Sequence, residues 1–339
     1  AGRVCGVQVQ DMAADRGAEV QAGVVINATG AWADDLRAHV GARPRLRQLR
    51  GSHLLFPQEK LPVQDVISFL HPQDQRPVFA FSWEGATLVG TTDVDHREAM
   101  QTDPHISPAE TDYLMQAVDH IFGCLGLTLN DVRSSMAGIR SVLDSGKADP
   151  SKESRDEILW DEHGLITITG GKLTMFRHMA QTTLKFARAY LPPQTTFNPA
   201  ARALDALDDE GLQMLAAKPN LEDATLLRLL GRYGTAAPHL LDAAAADELQ
   251  PIGTTPTLWA ELRWAARSEQ VLHLEDLLLR RTRLGSLLPQ GGKPCMARIR
   301  RICQPELGWS DAAWLVQEEK YYQLWQSAYS LPQQELESA

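Results

Sequence analysis

Up to about Pro192 the apolar positions alternate or bunch into short runs bounded by turn residues, the pattern of strands. Residues 4–10 alternate weakly, and 19–28 end in the apolar run Val24-Val25-Ile26. Residues 51–56, 77–83, 86–91, 132–142 and 165–169 are β-branched or aromatic runs. Glu84-Gly85, between two of them, predicts a tight hairpin. Two helices interrupt the strands. Ser107-Pro108-Ala109-Glu110 supplies a cap residue, a proline at the first helical position and an acid at the third, a capping box that opens a helix through about Phe122. The other follows Gly170-Gly171 and runs to Tyr190, with Leu173, Phe176, Ala180, Leu184 and Ala187 at helical spacing. Beyond Pro193 the pattern is helical throughout, with candidates at 222–232, 257–268, 274–283, 296–303 and 311–329. The proline-rich stretch 192–199 marks the expected boundary. The pattern therefore predicts an α/β domain with a mixed sheet built on the 77–91 hairpin, then a separate helical bundle.

A chain of 339 residues fits two domains at about 150 residues each. Its 44% hydrophobic and 22% charged residues exclude a disordered or fibrous chain. No run approaches the ~18 apolar residues of a spanning helix. The start shows no signal peptide and no Met, and it opens in a strand pattern, so a fragment of something longer is expected. With 33 basic against 43 acidic residues the net charge is −10, which disfavours bulk electrostatic binding of nucleic acid. The 4 cysteines are scattered without zinc spacing, which suits buried thiols in a reducing, cytosolic compartment. No metal site is expected.

The sharpest chemical feature is Leu165-Ile166-Thr167-Ile168-Thr169-Gly170-Gly171-Lys172-Leu173-Thr174. A buried strand ends in two glycines and a helix begins. The free N–H groups and positive dipole end of such a start attract negative charge, the glycines admit a ligand close to the backbone, and Lys172 adds a full charge. A Walker-type phosphate loop fails, because it needs Gly where Ile166 stands and Ser or Thr where Leu173 stands. A plain strand–helix junction with a solvated lysine is the alternative. Val24-Val25-Ile26-Asn27-Ala28-Thr29-Gly30-Ala31-Trp32 is a second junction of the same kind. Together the two suggest one elongated cofactor across adjacent strand ends. No G-x-G-x-x-G occurs, which argues against a complete dinucleotide-binding domain but not against half of one. Arg140, on a strand reading Met136-Ala137-Gly138-Ile139, is either a clamp on a carboxylate or phosphate or a structural ion pair. Arg155 is a second candidate cation, and Arg140, Arg155 and Lys172 are expected to converge on one cavity. His53, beside Leu54-Leu55-Phe56, reads as a core histidine or a catalyst, and Thr91-Thr92-Asp93 alone reads as a turn. The basic run 43–50 reads as a phospholipid-facing patch or as a solvated face.

In this order the residues resemble the flavin-dependent glycerol-3-phosphate dehydrogenases of the D-amino-acid-oxidase-like superfamily. The resemblance lies in Ile26-Asn27-Ala28-Thr29-Gly30-Ala31-Trp32, Gly51-Ser52-His53, Gly90-Thr91-Thr92-Asp93, Ala137-Gly138-Ile139-Arg140 and Gly170-Gly171-Lys172-Leu173-Thr174. It continues through Arg232-Tyr233-Gly234, Glu261-Leu262-Arg263-Trp264 and Leu277-Leu278-Leu279-Arg280-Arg281-Thr282-Arg283, and so covers nearly the whole chain. Two departures stand out: the family's N-terminal G-x-G-x-x-G unit is missing, and Ser141 stands where the family usually has Pro.

The resemblance implies an FAD-dependent oxidoreductase-like fold, incomplete at its N-terminus, with an all-α C-terminal domain. Residues 1–50 and 161–191 would be the distal FAD-binding part, 51–160 the substrate-binding mixed sheet and 200–332 the helical domain. It implies oxidation of sn-glycerol 3-phosphate to dihydroxyacetone phosphate, with hydride passing from C2 to flavin N5 and electrons to a membrane quinone. Thr29, Gly30, Gly170, Gly171, Lys172, Leu173 and Thr174 would hold FAD. Arg140, Arg155 and Lys172 would hold the substrate. Lys172, His53 and Asp93 are the catalytic candidates, with the general base left open. A cytoplasmic protein seated peripherally on the inner face of the membrane, as a homodimer, completes the picture. Two alternatives stand beside it: an amino-acid or amine oxidase of the same superfamily, and a truncated module that folds without turnover.

Overall fold

In the computed structural model, residues 2–332 are described except 13, 101–102, 148–152, 155, 194–197, 199, 203–211 and 214–220. The order of strands begins with the hairpin β1 (Gly6–Asp11) and β2 (Arg16–Gln21), then β3 (Val25–Asn27) and the short helix α1 (Ala33–Ala38). β4 (Leu46–Pro57) is followed by β5 (Ile67–Leu70), β6 (Pro77–Trp83), β7 (Ala86–Gly90) and β8 (Val94–Asp95). Helix α2 (Pro108–Phe122), β9 (Ser134–Leu143), β10 (Ile158–Glu162), β11 (Leu165–Thr169) and α3 (Phe176–Phe186) come next. Among the described residues beyond 221 the regular elements are helical, apart from one isolated bridge between Pro251 and Leu258.

These elements gather into two compact units, Ala1–Arg50 with Asp93–Thr102 and Ile139–Ala203, and Gly51–Thr92 with Asp103–Gly138 and Leu204–Ala339. In the first, β11 lies between β10, antiparallel, and β3, parallel, with Ile166 opposite Ile26. All five residues of β11 are buried. β3 is the outer strand, and Ile26 is 41% exposed. Helix α1 is tied to β10 by Arg37, 1% exposed, whose Nε and Nη2 donate to the two carboxylate oxygens of Glu162 at 2.8 and 2.7 Å. The same guanidinium lies over the ring of Trp160, 4.5 Å away, and also bonds Asp34.

In the second unit β5, β6, β7 and β4 pair antiparallel in that order, and the hairpin closes at Glu84-Gly85 as its turn chemistry requires. Alternation along β4 sends Leu54 and Phe56 toward α2, where they meet Leu114, Ala117 and Val118. Leu55 faces the other way, into a cluster with Leu88 and Leu287. The capping box at Ser107 forms as the sequence predicts. The described helices beyond 221 fall in the same compact unit as this sheet and are tied to it by polar contacts. Glu84 in the β6–β7 turn receives Arg232 and Arg283, each at 3.2 Å, and Ser134 donates to the carbonyl of Ser286 at 2.6 Å. Helical periodicity reports the state of each segment but says nothing of these polar ties to a sheet more than a hundred residues away.

Candidate functional site

The two strand–glycine junctions meet because β3 and β11 are neighbours. Asn27, fully buried at the end of β3, joins them: its Nδ2 donates to the Ala33 carbonyl at 2.9 Å and to Thr167 Oγ1 at 3.2 Å. Its Oδ1 accepts from Thr29 Oγ1 at 2.7 Å and Thr29 N at 3.3 Å, which fixes the turn entering Gly30. The sequence shows Asn27 only as part of a string. Its bridging role depends on Thr167, 140 residues on.

Gly170 and Gly171 both adopt left-handed backbone, at φ +77° and +72°. Crowding within the protein constrains both positions. A Cβ at 170 would lie 2.2 Å from the carbonyl oxygen of Asp156, and one at 171 would lie 2.4 Å from Met179 Sδ. The protein's own atoms therefore demand glycine at both positions. The helix also starts later than predicted. Lys172 is extended, Leu173–Met175 make a 3-10 turn, and the α-helix opens at Phe176.

Around this turn lies a cavity of about 550 Å³. Ile26, Ala28 and Ile168 line it from the strand ends, the stretch from Gly170 to Leu173 from the turn, and Phe176, Met179, Ala180, Thr183 and Leu184 from α3. Its walls are mainly apolar. Lys172 brings the formal charge, and among the described residues its ammonium has no hydrogen-bond or ion-pair partner. Leu173 is 90% exposed, and Thr174 is exposed beside it.

Arg140 stands in a different group. Its Nη2 lies 2.5 Å from Asp93 Oδ1, with the Asp93 side chain 2% exposed and that of Arg140 33% exposed. Of the two readings open for an arginine on this strand, the ion pair is realised, and it leaves a third of the side chain accessible. Ser141 donates to Gln48 Oε1 at 2.6 Å. Lys172 lines this cavity and Arg140 is not among its lining residues. Arg155 lies outside the described residues. In the second unit His53 pairs with Gly90 across β4 and β7, and its ring packs on that glycine so closely that a Cβ there would come within 2.2 Å of His53 Cδ2.

Several arginines of the basic run near β4 are engaged by neighbouring side chains, while Arg43 and Arg45 stay exposed. Arg45 lies over Trp160 at 5.1 Å, Arg47 grips both oxygens of Asp95 at 2.6 and 2.8 Å, and Arg50 reaches Glu98 at 2.9 Å. The hydrogen bond from Arg47 holds the Asp95 carboxyl below the usual aspartate range.

Comparison with known proteins adds the following. The model of the FAD dependent oxidoreductase family matches residues 2–177, and that of the C-terminal domain of alpha-glycerophosphate oxidase matches residues 168–314. Glycerol-3-phosphate dehydrogenase 2 of Mycobacterium bovis is 33% identical over 323 residues, which covers 91% of this chain and 54% of that protein. The aerobic glycerol-3-phosphate dehydrogenase of Bacillus subtilis is 31% identical over 301 residues, covering 83% and 54%. The chain thus spans about half the length of the curated relatives it matches. Among solved structures, the glycerol-3-phosphate dehydrogenase of Bacillus halodurans complexed with FAD aligns at a TM-score of 0.73 and 27% identity, covering 96% of this chain and 66% of that one.

Proposed function

The chain belongs to the FAD-dependent oxidoreductase family, and we propose on that premise that it serves in the oxidation of sn-glycerol 3-phosphate to dihydroxyacetone phosphate, with electrons passing on to a membrane quinone. The observation that supports this reading is the apolar cavity at the Gly170-Gly171 turn with Lys172 at its rim. Apolar walls suit a flat aromatic ring, and a lysine beside the start of a helix suits an edge on which negative charge grows. FAD, when bound, would supply the acceptor for a hydride from C2 of the substrate.

The chain's own residues do the rest. The backbone from Gly170 to Thr174 and the Thr29-Gly30 turn hold the cofactor, and Asn27 keeps those two turns together. Arg140 and Arg155 bind the substrate phosphate. Asp93, already engaged by Arg140, orients that guanidinium. His53 is the candidate that accepts the proton of the substrate hydroxyl. Residues 1–50 and 161–191 form the distal FAD-binding part, 51–160 the substrate part and 200–332 the C-terminal domain. Among the described residues no helix is long and apolar enough to cross a membrane. A peripheral seat on the inner membrane face and a homodimer belong to the same proposal.

Arg140→Ala tests the phosphate clamp. Losing charge-assisted bonds worth about 1.5–3 kcal/mol should raise KM for glycerol 3-phosphate by roughly ten- to a hundredfold. An unchanged KM would remove Arg140 from the substrate site.

A further inference from the structure

Glu110 does two jobs, and the capping box accounts for only one. Its Oε2 accepts from Ser107 N at 3.0 Å and Ser107 Oγ at 2.8 Å, the reciprocal half of the cap. Its Oε1 turns into the sheet instead and accepts from Ser52 Oγ at 2.8 Å and Thr92 Oγ1 at 2.7 Å. These two partners also hold one another, Ser52 N donating to Thr92 Oγ1 at 2.9 Å and Thr92 N to the Ser52 carbonyl at 3.3 Å. Glu110 is 3% exposed, and Ser52 is fully buried. A buried charge satisfied by four bonds is costly to disturb and rigid while intact.

Ser52 precedes His53 on β4. Because neighbours on a strand face opposite sides, anchoring Ser52 toward α2 sends the His53 imidazole to the other face, where it packs on Gly90. Thr92 lies two residues beyond Gly90. Glu110 therefore pins both chain segments between which the imidazole is held. We infer that Glu110 is a positioning residue for His53, acting through Ser52 and Thr92. The inference rests on the role proposed above for His53.

The test separates positioning from simple support of α2. His71 stacks on Tyr113 of α2 at 3.6 Å and bonds the Tyr113 carbonyl through Nε2 at 2.8 Å, so it senses any loosening of that helix. In Glu110→Ala the imidazole NMR signals of His53 should move while those of His71 stay. Glu110→Gln, which keeps an acceptor for Ser52 and Thr92, should bring His53 back toward its original position. In the natural FAD-bearing protein, Glu110→Ala should lower kcat for glycerol 3-phosphate by about tenfold or more and leave KM nearly unchanged, as misplacement of a reacting group does. Signals of both histidines moving together, or neither moving, would overturn the inference, and so would an unchanged kcat in an active enzyme. If the unaltered protein does not turn over glycerol 3-phosphate at all, the proposed function fails, while the comparison of His53 with His71 still decides this inference.

Discussion

Replacing the two adjacent glycines one at a time separates a backbone requirement from a side-chain one. Both sit at φ above +70°, so an alanine at either costs about 1–2 kcal/mol for the left-handed conformation alone. The second cost differs. At 170 the new Cβ would meet the carbonyl oxygen of Asp156 at 2.2 Å, and backbone leading into β10 cannot step aside cheaply. Overpacking of that kind adds about 1–3 kcal/mol. At 171 the obstacle is Met179 Sδ at 2.4 Å, the far part of an unbranched side chain that can change rotamer. Gly170→Ala should therefore cost about 2–5 kcal/mol and Gly171→Ala about 1–2 kcal/mol. Urea unfolding followed by circular dichroism, with amide exchange at β11, measures both on the same scale. Equal costs, or a larger cost at 171, would refute the claim that the Asp156 carbonyl is what demands glycine. Two stable variants that differ from the parent only in flavin binding would restore close ligand approach as the reason.

Three further outcomes follow from the geometry. Arg37→Ala should destabilise the first unit by about 3 kcal/mol, the low end for a broken buried pair because Glu162 retains some access to water; a shift in urea midpoint corresponding to less than about 1 kcal/mol would contradict it. In the second unit, hydrogen bonds from Arg267 and then Arg263 hold the Glu306 carboxyl below its ordinary range, and Arg263 does the same for Glu248 against the opposing effect of burial. A depressed folded value gives stability that is present above the ordinary glutamate value of about 4.3 and is lost as pH falls through the folded value, so thermal stability should drop below about pH 4 and Arg263→Met should flatten that acid limb. Finally, the 339-residue polypeptide by itself should bind FAD weakly, because its sequence has no G-x-G-x-x-G turn to cradle a pyrophosphate; stoichiometric, tight binding in a flavin-fluorescence titration would show that the turn at Gly170 suffices.

What could be read from the residues was what local physics controls. Alternation placed β6, β7 and β11, Glu84-Gly85 closed its hairpin, and Ser107 with Pro108 and Glu110 opened α2. Helical periodicity found the segments that became Asp223–Tyr233, Trp259–Ser268 and Asp311–Leu324. β10 escaped because Trp160-Asp161-Glu162 has no strand alternation; it is held by pairing to β11 and by Arg37 on Glu162. α1 is only six residues long, too short for a periodic signal. The site was legible as two glycine junctions, but their closure through Asn27 and Thr167 was not. Arg140 stood out as an arginine on an apolar strand, whereas its partner Asp93, 47 residues earlier, looked like a turn residue. Glu110 was visible as a cap. The oxygen that reaches Ser52 and Thr92 belongs to tertiary structure, which no local pattern encodes.

Oxidation of sn-glycerol 3-phosphate by the bound flavin is open to direct observation. Anaerobic addition of sn-glycerol 3-phosphate to the natural protein carrying its flavin, with the visible flavin absorbance followed through the addition, addresses it directly. Bleaching of that absorbance with stoichiometric formation of dihydroxyacetone phosphate is the expected result. Reduction by amino acids or secondary amines, with the flavin left oxidised by glycerol 3-phosphate, would contradict it.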